Sequence, residues 1–349
     1  MMEAARHRTG ILVASLGSMP FQWDNLPRPI VALSPMADMT DSPFCQIVKE
    51  IGSPIVFREM VSSEAVVRGN DKTLGMTAFH ESERPIVQQI FGSDPSTMAE
   101  AARMIVEQHA PEGIDLNMGC PVYKITHNFN GAALMKDPAL ATEIVRTIKR
   151  AVSVPVSVKI RTGWDDPTEC LTFARMLQDA GADLLTVHGR TKKQAYAGYS
   201  DWGMIRNVKE RVSVPVLANG DIFRAEDAQR ALEITKADGV LVARGSLGNP
   251  WIFPQIAELL TEGTIRTRPT IADHAQLILR HAKLHADFYG PRGTRPSKLE
   301  ERSGMASFRK HLSWYSKGIV GAKEIRSALV RVSTLAELEH LLTPWLSDL

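Results

Sequence analysis

The sequence Asn-Met-Gly-Cys-Pro at residues 117–121 places one thiol on a loop, directly after the short apolar run at 113–116. Gly119 lets the backbone turn and Pro121 prevents a strand from continuing, so Cys120 is expected to be more accessible than a structural cysteine. A free thiol has a pKa of about 8.5 and can therefore donate a proton at neutral pH as readily as it can act as a nucleophile. The alternative is a turn cysteine without a chemical role, and the motif alone leaves both open.

Polar side chains also lie within, or directly after, nearly all of the remaining short apolar runs of the chain. An amide at Gln88, a cation at Lys159 and an imidazole at His188 together suit a flat heterocycle with carbonyl groups and a reducible nitrogen, whose anionic reduced form a lysine would stabilise. The loops after the last two runs contain glycine, and Arg244 adds a forked donor for a single phosphate group. In chain order the polar set and its neighbours are Pro35, Met36, Ala37, Asp38, Gln88, Asn117, Cys120, Lys159, Arg161, His188, Arg190, Asn219, Gly220, Asp221, Ala243 and Arg244.

Each of these residues also has a purely structural explanation. Gln88 could cap a strand edge, and Lys159 could form an ion pair with Asp221. His188 belongs to a residue type that is more often a hydrogen-bonded core residue than a ligand. The set becomes one site only if the fold brings the ends of the apolar runs together.

Eight short apolar runs alternate with amphipathic stretches, which predicts a closed (β/α)8 TIM barrel with its site at the carboxyl ends of the strands. A doubly wound open sheet is the alternative, but no GxGxxG motif follows the first run. Several of the intervening helical patterns begin at proline, serine or aspartate. The runs lie at 30–33, 55–57, 86–91, 113–116, 156–160, 184–187, 216–218 and 240–242, and helices are predicted at 95–109, 138–151, 167–180 and 225–235.

The middle of the chain repeats itself. The pentapeptide VSVPV occurs at 152–156 and again at 212–216, and the Ala-Asp that begins the segment 182–190 recurs at the start of the segment 237–244. A spacing of about 55–60 residues is too long for one supersecondary unit and suits two successive strand–helix units. The repeat therefore agrees with the predicted barrel.

Composition limits the class of protein. A chain of 349 residues with 44% hydrophobic and 23% charged residues forms one large domain or two ordinary ones with a sizeable core. Its three cysteines, Cys45, Cys120 and Cys170, form no CxxC pair, which argues against a disulfide framework and against a zinc site. We therefore expect free thiols in a reducing, cytoplasmic environment, a monomer, and no bound metal.

The first residues carry no recognisable domain. The apolar run at 11–16 is too short to span a bilayer, and no small-residue cleavage site follows it. We expect residues 1–24 to form a mobile extension rather than a secretion signal, and we expect no membrane partner.

Positive charge is concentrated in the C-terminal part of the chain. From residue 271 onward there are 12 Lys and Arg against 8 Asp and Glu, a net charge of +4, which leaves −2 for residues 1–270. Helical patterns replace strands there and predict a small helical bundle. They run over 272–289, 298–316, 322–332 and 335–346.

One of these helical patterns combines cations with aromatic residues. Arg309, Lys310 and His311 precede Trp314 and Tyr315 at helical spacing, which suits contacts to the phosphates and bases of RNA. The alternative is an ordinary amphipathic helix in which Trp314 belongs to the core and the charges are solvated. The sequence leaves both interpretations open.

Together the motifs resemble those of the tRNA-dihydrouridine synthases, and most closely those of their bacterial B-type branch. Each motif is short, but their order and spacing together are highly specific, and the match runs from about residue 29 to the end of the chain. The matching segments are LSPMA (33–37) with Thr40 and Asp41, QQIFG (88–92), NMGCP (117–121), KIRTGWD (159–165), HGRT (188–191), NGD (219–221) and NPWIF (249–253).

The resemblance implies an enzyme that binds FMN and reduces one uridine of tRNA to 5,6-dihydrouridine, with NADPH, or NADH, as the reductant. It implies that Cys120 is the proton donor. Asn117 is then expected to meet the edge of the uracil, and Lys124, Arg161 and Arg190 are expected to meet the base or RNA phosphates, although Lys124 could equally be a solvated surface charge. The residues that the resemblance places around the flavin are Pro35, Met36, Ala37, Gln88, Lys159, His188, Asn219, Gly220, Asp221, Ala243 and Arg244.

The chain departs from the family pattern at two positions. The family commonly has glycine where this chain has Asp38 and Ala243. A loop whose backbone N–H groups bind a phosphate tolerates alanine only where that position has a negative φ.

Two other functions fit parts of the sequence. A flavin-dependent barrel that acts on a free pyrimidine, similar to dihydroorotate dehydrogenases, would not need the basic helical segment. A non-catalytic RNA-binding protein would not need the polar rim of the barrel. The predicted organisation is an extension at 1–24, an FMN-binding barrel at 25–262, a linker at 263–270 and a helical tRNA-binding domain at 271–349.

Overall fold

The computed structural model describes residues 21–52, 54–289, 304–317 and 322–346. Eight parallel strands pair in chain order and the first also pairs with the last, so the sheet closes into a barrel. This confirms the predicted (β/α)8 TIM barrel and excludes the open sheet. The strands are β1 (Ile30–Leu33), β2 (Ile55–Ser62), β3 (Ile86–Phe91), β4 (Gly113–Met118), β5 (Val156–Arg161), β6 (Leu184–His188), β7 (Val216–Asn219) and β8 (Gly239–Val242).

All eight apolar runs form strands, but β2 extends beyond the residue at which its run ends. The sequence prediction ended at residue 57 because charged residues follow. Arg58 and Glu59 are nevertheless only 1% and 3% exposed. Arg58 pairs with the buried Glu83 at 3.1 Å, and this partner makes a charged residue compatible with the interior of a strand.

Two of the helices around the barrel begin at aspartates that satisfy N–H groups of the first turn. Asp94 and Asp137 each accept such a hydrogen bond and are followed by proline, a favourable combination at a helix start. Three of the four helices predicted between strands have the predicted bounds, and the one predicted at 167–180 is shorter at both ends. The helices are α1 (Ser42–Gly52), α2 (Ser63–Val67), α3 (Asp71–Thr77), α4 (Pro95–His109), α5 (Tyr123–Thr126), α6 (Pro138–Ala151), α7 (Glu169–Asp179), α8 (Trp202–Lys209), α9 (Ala225–Thr235) and α10 (Ile252–Glu262), with 3-10 turns at Trp23–Asn25, Glu81–Glu83, Gly131–Lys136 and Arg244–Ser246.

The interior of the barrel is apolar at the amino ends of the strands. Phe57 and Val87 belong to this layer, and Phe21 and Trp23 cover it from below, with the Trp23 ring stacked 5.8 Å from that of Phe57. Within the described residues, packing against the barrel therefore already includes Phe21, which precedes residue 25 where the prediction placed the start of the domain. Residues 1–20 of the predicted extension lie outside the described residues.

The internal repeat of the sequence corresponds to a repeated strand junction. Asp183, just before β6, accepts a hydrogen bond from the N–H of Val156 at the start of β5. Asp238, just before β8, does the same for Val216 at the start of β7. Each carboxylate thereby satisfies a backbone donor at the bottom of the barrel and ties two neighbouring strands together.

Four helices follow the barrel, which confirms the predicted helical C-terminal region. Their buried side chains form a core that also includes Ile47 of α1 and Trp251 before α10, so this region packs on one side of the barrel. Among the described residues, no helix combines the length and apolar character needed to cross a membrane. The four are α11 (Ile271–Tyr289), α12 (Gly304–Tyr315), α13 (Ala322–Leu329) and α14 (Leu335–Leu346).

Candidate active site

A cavity of about 700 Å³ opens at the carboxyl ends of the strands. Its volume lies in the range of about 300–1,000 Å³ that is typical of small-molecule and cofactor sites. Trp314 of α12 contributes to its wall, so the C-terminal helices take part in the site. The residues predicted from the sequence that line the cavity are Pro35, Met36, Ala37, Asn117, Cys120, Lys124, Lys159, Arg161, His188, Asn219, Gly220, Asp221, Ala243 and Arg244.

Gln88 does not line this cavity, and Gln89 does. The Gln88 amide nitrogen donates to the backbone carbonyls of Glu59 and Gln89 on the barrel wall. Side chains alternate across a strand, and Val87 faces the barrel interior, so its neighbour Gln88 faces outward and Gln89 faces inward again. The prediction for Gln88 was therefore wrong by one residue, and counting from the apolar inner layer would have identified Gln89.

Gln89 belongs to a buried hydrogen-bond network on the cavity floor. Its amide nitrogen donates to Asp115 at 2.6 Å, and its oxygen accepts from Asn117 at 2.8 Å. Ser157 also donates to Asp115, at 2.6 Å. Burial raises the pKa of Asp115 to about 6, and these donors oppose that rise. The network fixes the amide groups that a ligand in the cavity would meet.

The ammonium group of Lys159 has no hydrogen-bond or ion-pair partner in the part of the chain that the structure describes. Burial and the nearby Arg161 guanidinium lower its pKa to about 8. The expected alternative, an ion pair between Lys159 and Asp221, is absent there, because Asp221 pairs with Arg190 at 2.8 Å and Arg244 at 3.8 Å. Lys159 is partly exposed at the cavity surface, and an unpaired cation there is incompletely solvated, so this position suits an anionic ligand group.

Cys120 lies on the loop after β4 with its thiol toward the cavity. Asn117 shapes this loop, since its side-chain oxygen accepts from the N–H groups of Gly119 at 3.2 Å and Cys120 at 2.9 Å. Burial raises the pKa of the Cys120 thiol, and the nearby cations Arg161 and Lys159 only partly oppose this. The thiol is therefore protonated at neutral pH, which is the form that a proton donor requires.

The loops after β7 and β8 form the opposite side of the cavity. The N–H groups of Gly220 and Asp221 make no hydrogen bond within the described residues, and Gly220 has φ +114°. A Cβ at Gly245 would lie 2.2 Å from the Ile222 carbonyl oxygen, so only glycine fits there. Ala243 has φ −107°, which meets the requirement for alanine in this loop. Free backbone donors beside Arg244 are suited to an anion such as phosphate.

Asp38, the other departure from the family pattern, has φ +61°. Aspartate tolerates this left-handed conformation better than most residues. Its N–H donates to the Glu59 carboxylate at 2.7 Å, and burial followed by the Asp41 charge raises the pKa of Glu59 to about 7. The turn beside Pro35 to Ala37 is therefore held by a hydrogen bond to β2.

Arg190 and Arg161 are buried side chains that donate hydrogen bonds within the protein. Each is only 2% exposed. Arg190 donates to the Asp221 carboxylate and to His188 Nε2, at 2.8 and 3.3 Å, so His188 carries its proton on Nδ1. Arg161 donates to three backbone carbonyls, including that of Gly119 at 2.8 Å. Both position cavity residues, and only Arg161 lines the cavity itself.

A family model described as dihydrouridine synthase matches residues 31–347 of the chain. The chain belongs to this family. This confirms the resemblance that the motifs indicated, and proteins named as B-type members are among the relatives.

Two curated relatives show how much of the chain is shared within the dihydrouridine synthase family. A protein of Rickettsia bellii named probable tRNA-dihydrouridine synthase is 38% identical over 301 residues, which cover 86% of this chain and 89% of the relative. A Pasteurella multocida protein named tRNA-dihydrouridine synthase B is 39% identical over 290 residues, with 83% and 84% coverage. The similarity therefore includes both the barrel and much of the helical region.

A solved structure shares the fold beyond the family. Histamine dehydrogenase from Rhizobium sp. 4-9 aligns with a TM-score of 0.55 at 14% identity, covering 91% of this chain and 62% of that chain. At this identity the likeness shows the shared barrel fold alone.

Arg309, Lys310 and His311 lie away from the cavity and differ in exposure. His311 is 2% exposed, and a phosphate cannot reach so buried a side chain. Arg309 donates to the backbone carbonyls of Val332 and Arg331, which ties α12 to the turn after α13. Lys310 is partly exposed and lies 3.7 Å from the Asp41 carboxylate. The RNA contact predicted for His311 does not fit this placement, and Arg309 has an evident structural role.

Exposed aromatic residues lie at the cavity and on neighbouring segments of the chain, and the motifs of the sequence did not predict them. Tyr196 and Phe223 line the cavity while being 57% and 45% exposed. Tyr123, beside the lining residue Lys124, is 75% exposed, and Tyr199 is 89% exposed. Exposed aromatic side chains so close to a cavity are suited to stacking with bases. Their position in the segments that follow β4, β6 and β7 was the available signal in the sequence.

Proposed function

We propose that this protein reduces a uridine of tRNA to 5,6-dihydrouridine, with bound FMN and with NADPH or NADH as the reductant. One observation carries the proposal: the protonated thiol of Cys120 and the unpaired ammonium of Lys159 face the same cavity. Membership of the dihydrouridine synthase family and relatives named tRNA-dihydrouridine synthases support the same activity.

The residues present fit FMN. Gly220, Asp221 and Arg244 would hold its single phosphate, because they offer unpaired N–H groups and a guanidinium on one side of the cavity. Lys159 would face the polar edge of the ring system, with Gln89 beside it in place of the predicted Gln88. When bound, FMN supplies the hydride for carbon 6 of the uracil.

The residues of the chain then complete the reduction. Negative charge develops on carbon 5 of the uracil and its neighbouring carbonyl, and Cys120 Sγ delivers a proton to carbon 5. Asn117 acts on this step indirectly, because its oxygen already accepts from the Cys120 and Gly119 N–H groups. Its role is therefore to position the Cys120 loop rather than to meet the uracil through that oxygen.

The exposed aromatic residues at and near the cavity mouth support a macromolecular substrate. A stacked uridine inside folded RNA cannot reach a cavity of this kind, so the target nucleotide must leave its stack. Tyr123, Tyr196 and Phe223 offer surfaces for the neighbouring bases, and Lys124 offers charge for an RNA phosphate. A free pyrimidine would require none of these exposed rings, which disfavours the dihydroorotate dehydrogenase-like alternative.

We expect FMN to copurify with the protein as its flavin. The loops after β7 and β8 form one phosphate site, and FAD would need further room for its adenosine half. Denaturation of the purified protein followed by mass analysis of the released flavin tests this. Recovery of FAD, or of no flavin after incubation with FMN, would contradict the proposed cofactor.

We expect Tyr123→Ala to weaken tRNA binding by about 1–3 kcal/mol, the usual contribution of one base–aromatic stack. Lys124→Ala should lower the slope of log affinity against log salt concentration by about 0.7–0.9, the effect of one lost phosphate contact. Filter binding of tRNA at several salt concentrations measures both. Lys72→Ala, which removes an exposed lysine that does not line the cavity, is the matched control. Unchanged affinity and slope in both variants would place the RNA elsewhere.

A further inference from the structure

A cluster of four buried side chains lies between the barrel and the C-terminal helices, outside the cavity. It consists of Asp41 just before α1, His281 and His285 on α11, and His311 on α12. We propose that this cluster is a structural metal site, with Zn²⁺ as the best-fitting ion, that ties the barrel to the helical region.

The geometry of the cluster is close to that of a four-ligand site. One potential ligand atom from each residue lies within 4.8 Å of all the others. His285 Nδ1 and His311 Nε2 are 3.5 and 4.0 Å from Asp41 Oδ2. Ligands about 2.0–2.1 Å from a tetrahedral zinc ion lie about 3.3–3.4 Å apart. Small side-chain shifts, without movement of the helices, would therefore bring the four atoms to bonding distance.

Apart from the 3.5 Å approach of His285 Nδ1 to Asp41, the histidine nitrogens that face the cluster have no hydrogen-bond partner within the described residues. His281 Nε2, His285 Nδ1 and His311 Nε2 are fully buried and make no hydrogen bond within the described residues. Buried polar atoms are nearly always paired, so three unpaired nitrogens directed at one carboxylate need an explanation. A metal ion bound by all three, with Asp41 as the fourth ligand, satisfies them together.

In two of the imidazoles, the ring nitrogen that points away from the cluster forms a hydrogen bond, as is common for metal-binding histidines. His281 Nδ1 lies 3.0 Å from the Tyr315 hydroxyl, and His285 Nε2 lies 2.7 Å from the Ser307 hydroxyl. The Tyr289 hydroxyl donates to Asp41 at 3.2 Å. Hydrogen bonds to the second ring nitrogen and to a ligating carboxylate fix ligand orientation, and they commonly accompany metal coordination.

The donor set points to zinc rather than to magnesium or calcium. Three imidazoles and one carboxylate suit zinc, copper, iron or nickel, whereas magnesium and calcium prefer oxygen ligands. Four protein ligands leave no open position, which is typical of a structural zinc site. The signal in the sequence was the spacing of His281 and His285, which are four residues apart on one helix face. The spacing of the cysteines carries no information about such a site.

Lys310 is a cation close enough to Asp41 to compete with a metal at this site. Its ammonium group lies 3.7 Å from Asp41 Oδ2 and is partly exposed, so it can move toward solvent when an ion occupies the cluster. Removal of the Lys310 charge should therefore favour metal binding. If Asp41 served only as the ion-pair partner of Lys310, removal of the Lys310 charge would not produce metal binding.

The location gives the site a structural consequence. Asp41 follows the loop that includes Met39, and His311 precedes Trp314 on α12 by one turn, and both Met39 and Trp314 line the cavity. A bound ion would therefore fix the cavity wall contributed by α12 relative to the loop after β1. The proposal does not depend on the nature of the substrate.

The test uses the full chain and Zn²⁺ alone. We expect the protein, incubated with Zn²⁺ and then dialysed against metal-free buffer, to retain about one zinc per chain by elemental analysis. Calorimetric titration of the metal-free protein should show one saturable site, and chelation should lower the melting temperature reversibly. Absence of stoichiometric zinc in the folded protein would overturn the proposal, and this measurement needs no variant.

Variants locate the ion. His285→Gln and Asp41→Asn should each weaken zinc binding by at least about 100-fold. His274→Gln, which replaces a largely buried histidine on the same helix outside the cluster, should leave binding unchanged. Lys310→Ala should bind zinc at least as tightly as the parent. Equal zinc affinity in the parent and His285→Gln, or weaker binding by Lys310→Ala, would overturn the assignment.

Discussion

Cys120→Ala should lose most dihydrouridine formation while keeping the fold and the bound flavin. The thiol lines the cavity and is protonated at neutral pH, so its removal takes away the proposed proton donor and little packing. General acid catalysis typically contributes about 10²–10⁴-fold, and the oxidation of reduced enzyme by tRNA should slow by that factor. Anaerobic stopped-flow mixing of the NADPH-reduced protein with tRNA, followed by flavin absorbance, measures this step.

The other two cysteines provide the controls for that experiment. Cys45 and Cys170 lie on α1 and α7 and are fully buried, away from the cavity. Cys170→Ala should reoxidise with tRNA at close to the parental rate, and reduction by NADPH should be unchanged in both variants. If Cys120→Ala reoxidised as fast as the parent, another group would have to donate the proton.

Lys159→Met should slow the chemical step and weaken FMN binding while stabilising the flavin-free protein. The ammonium group has no partner in the described chain and faces the cavity, so the variant loses a charge that would stabilise a developing anion. Loss of one such preorganised group typically costs about 10²–10³-fold in rate. Pre-steady-state reduction by NADPH, at saturating FMN, measures the effect. A parental reduction rate in the variant would remove Lys159 from the proposed site.

The stability of the same variant should depend on pH in a defined direction. Burial lowers the pKa of Lys159 from 10.5 to about 8, so between these values the unfolded chain binds the proton more tightly than the folded protein. The cost of burying the charge is fully present below about pH 8 and disappears toward pH 10.5. Flavin-free Lys159→Met should therefore melt at a higher temperature than the parent at pH 7, and the difference should shrink as the pH rises. A pH-independent difference would contradict this origin.

Some of the expected properties remain predictions. The monomeric state, the cytoplasmic location, the choice between NADPH and NADH and the domain limits at 262 and 271 rest on the sequence. The three cysteines are free in the structure.

Local sequence determined the secondary structure of this protein to a large extent. Each apolar run became a strand, because short β-branched runs act within a few residues. The helices α4, α6 and α9 have the predicted bounds, and α4 and α6 begin with aspartate followed by proline. The order and spacing of the motifs likewise identified the family before any contact was known. These signals are local in the sequence. They were sufficient here because each strand of the barrel pairs with the strand that is next to it in the chain.

Tertiary structure alone decided which side chains meet. Gln88 and Gln89 are both polar, and only the pleat relative to the inner apolar layer directs Gln89 into the cavity. His311 looked like an exposed cation on an amphipathic helix, yet the packing of α12 on α1 buries it beside Asp41, 270 positions earlier in the chain. Burial and pairing depend on which elements pack together, and the physical reason is that a helix pattern specifies an apolar face without specifying its partner.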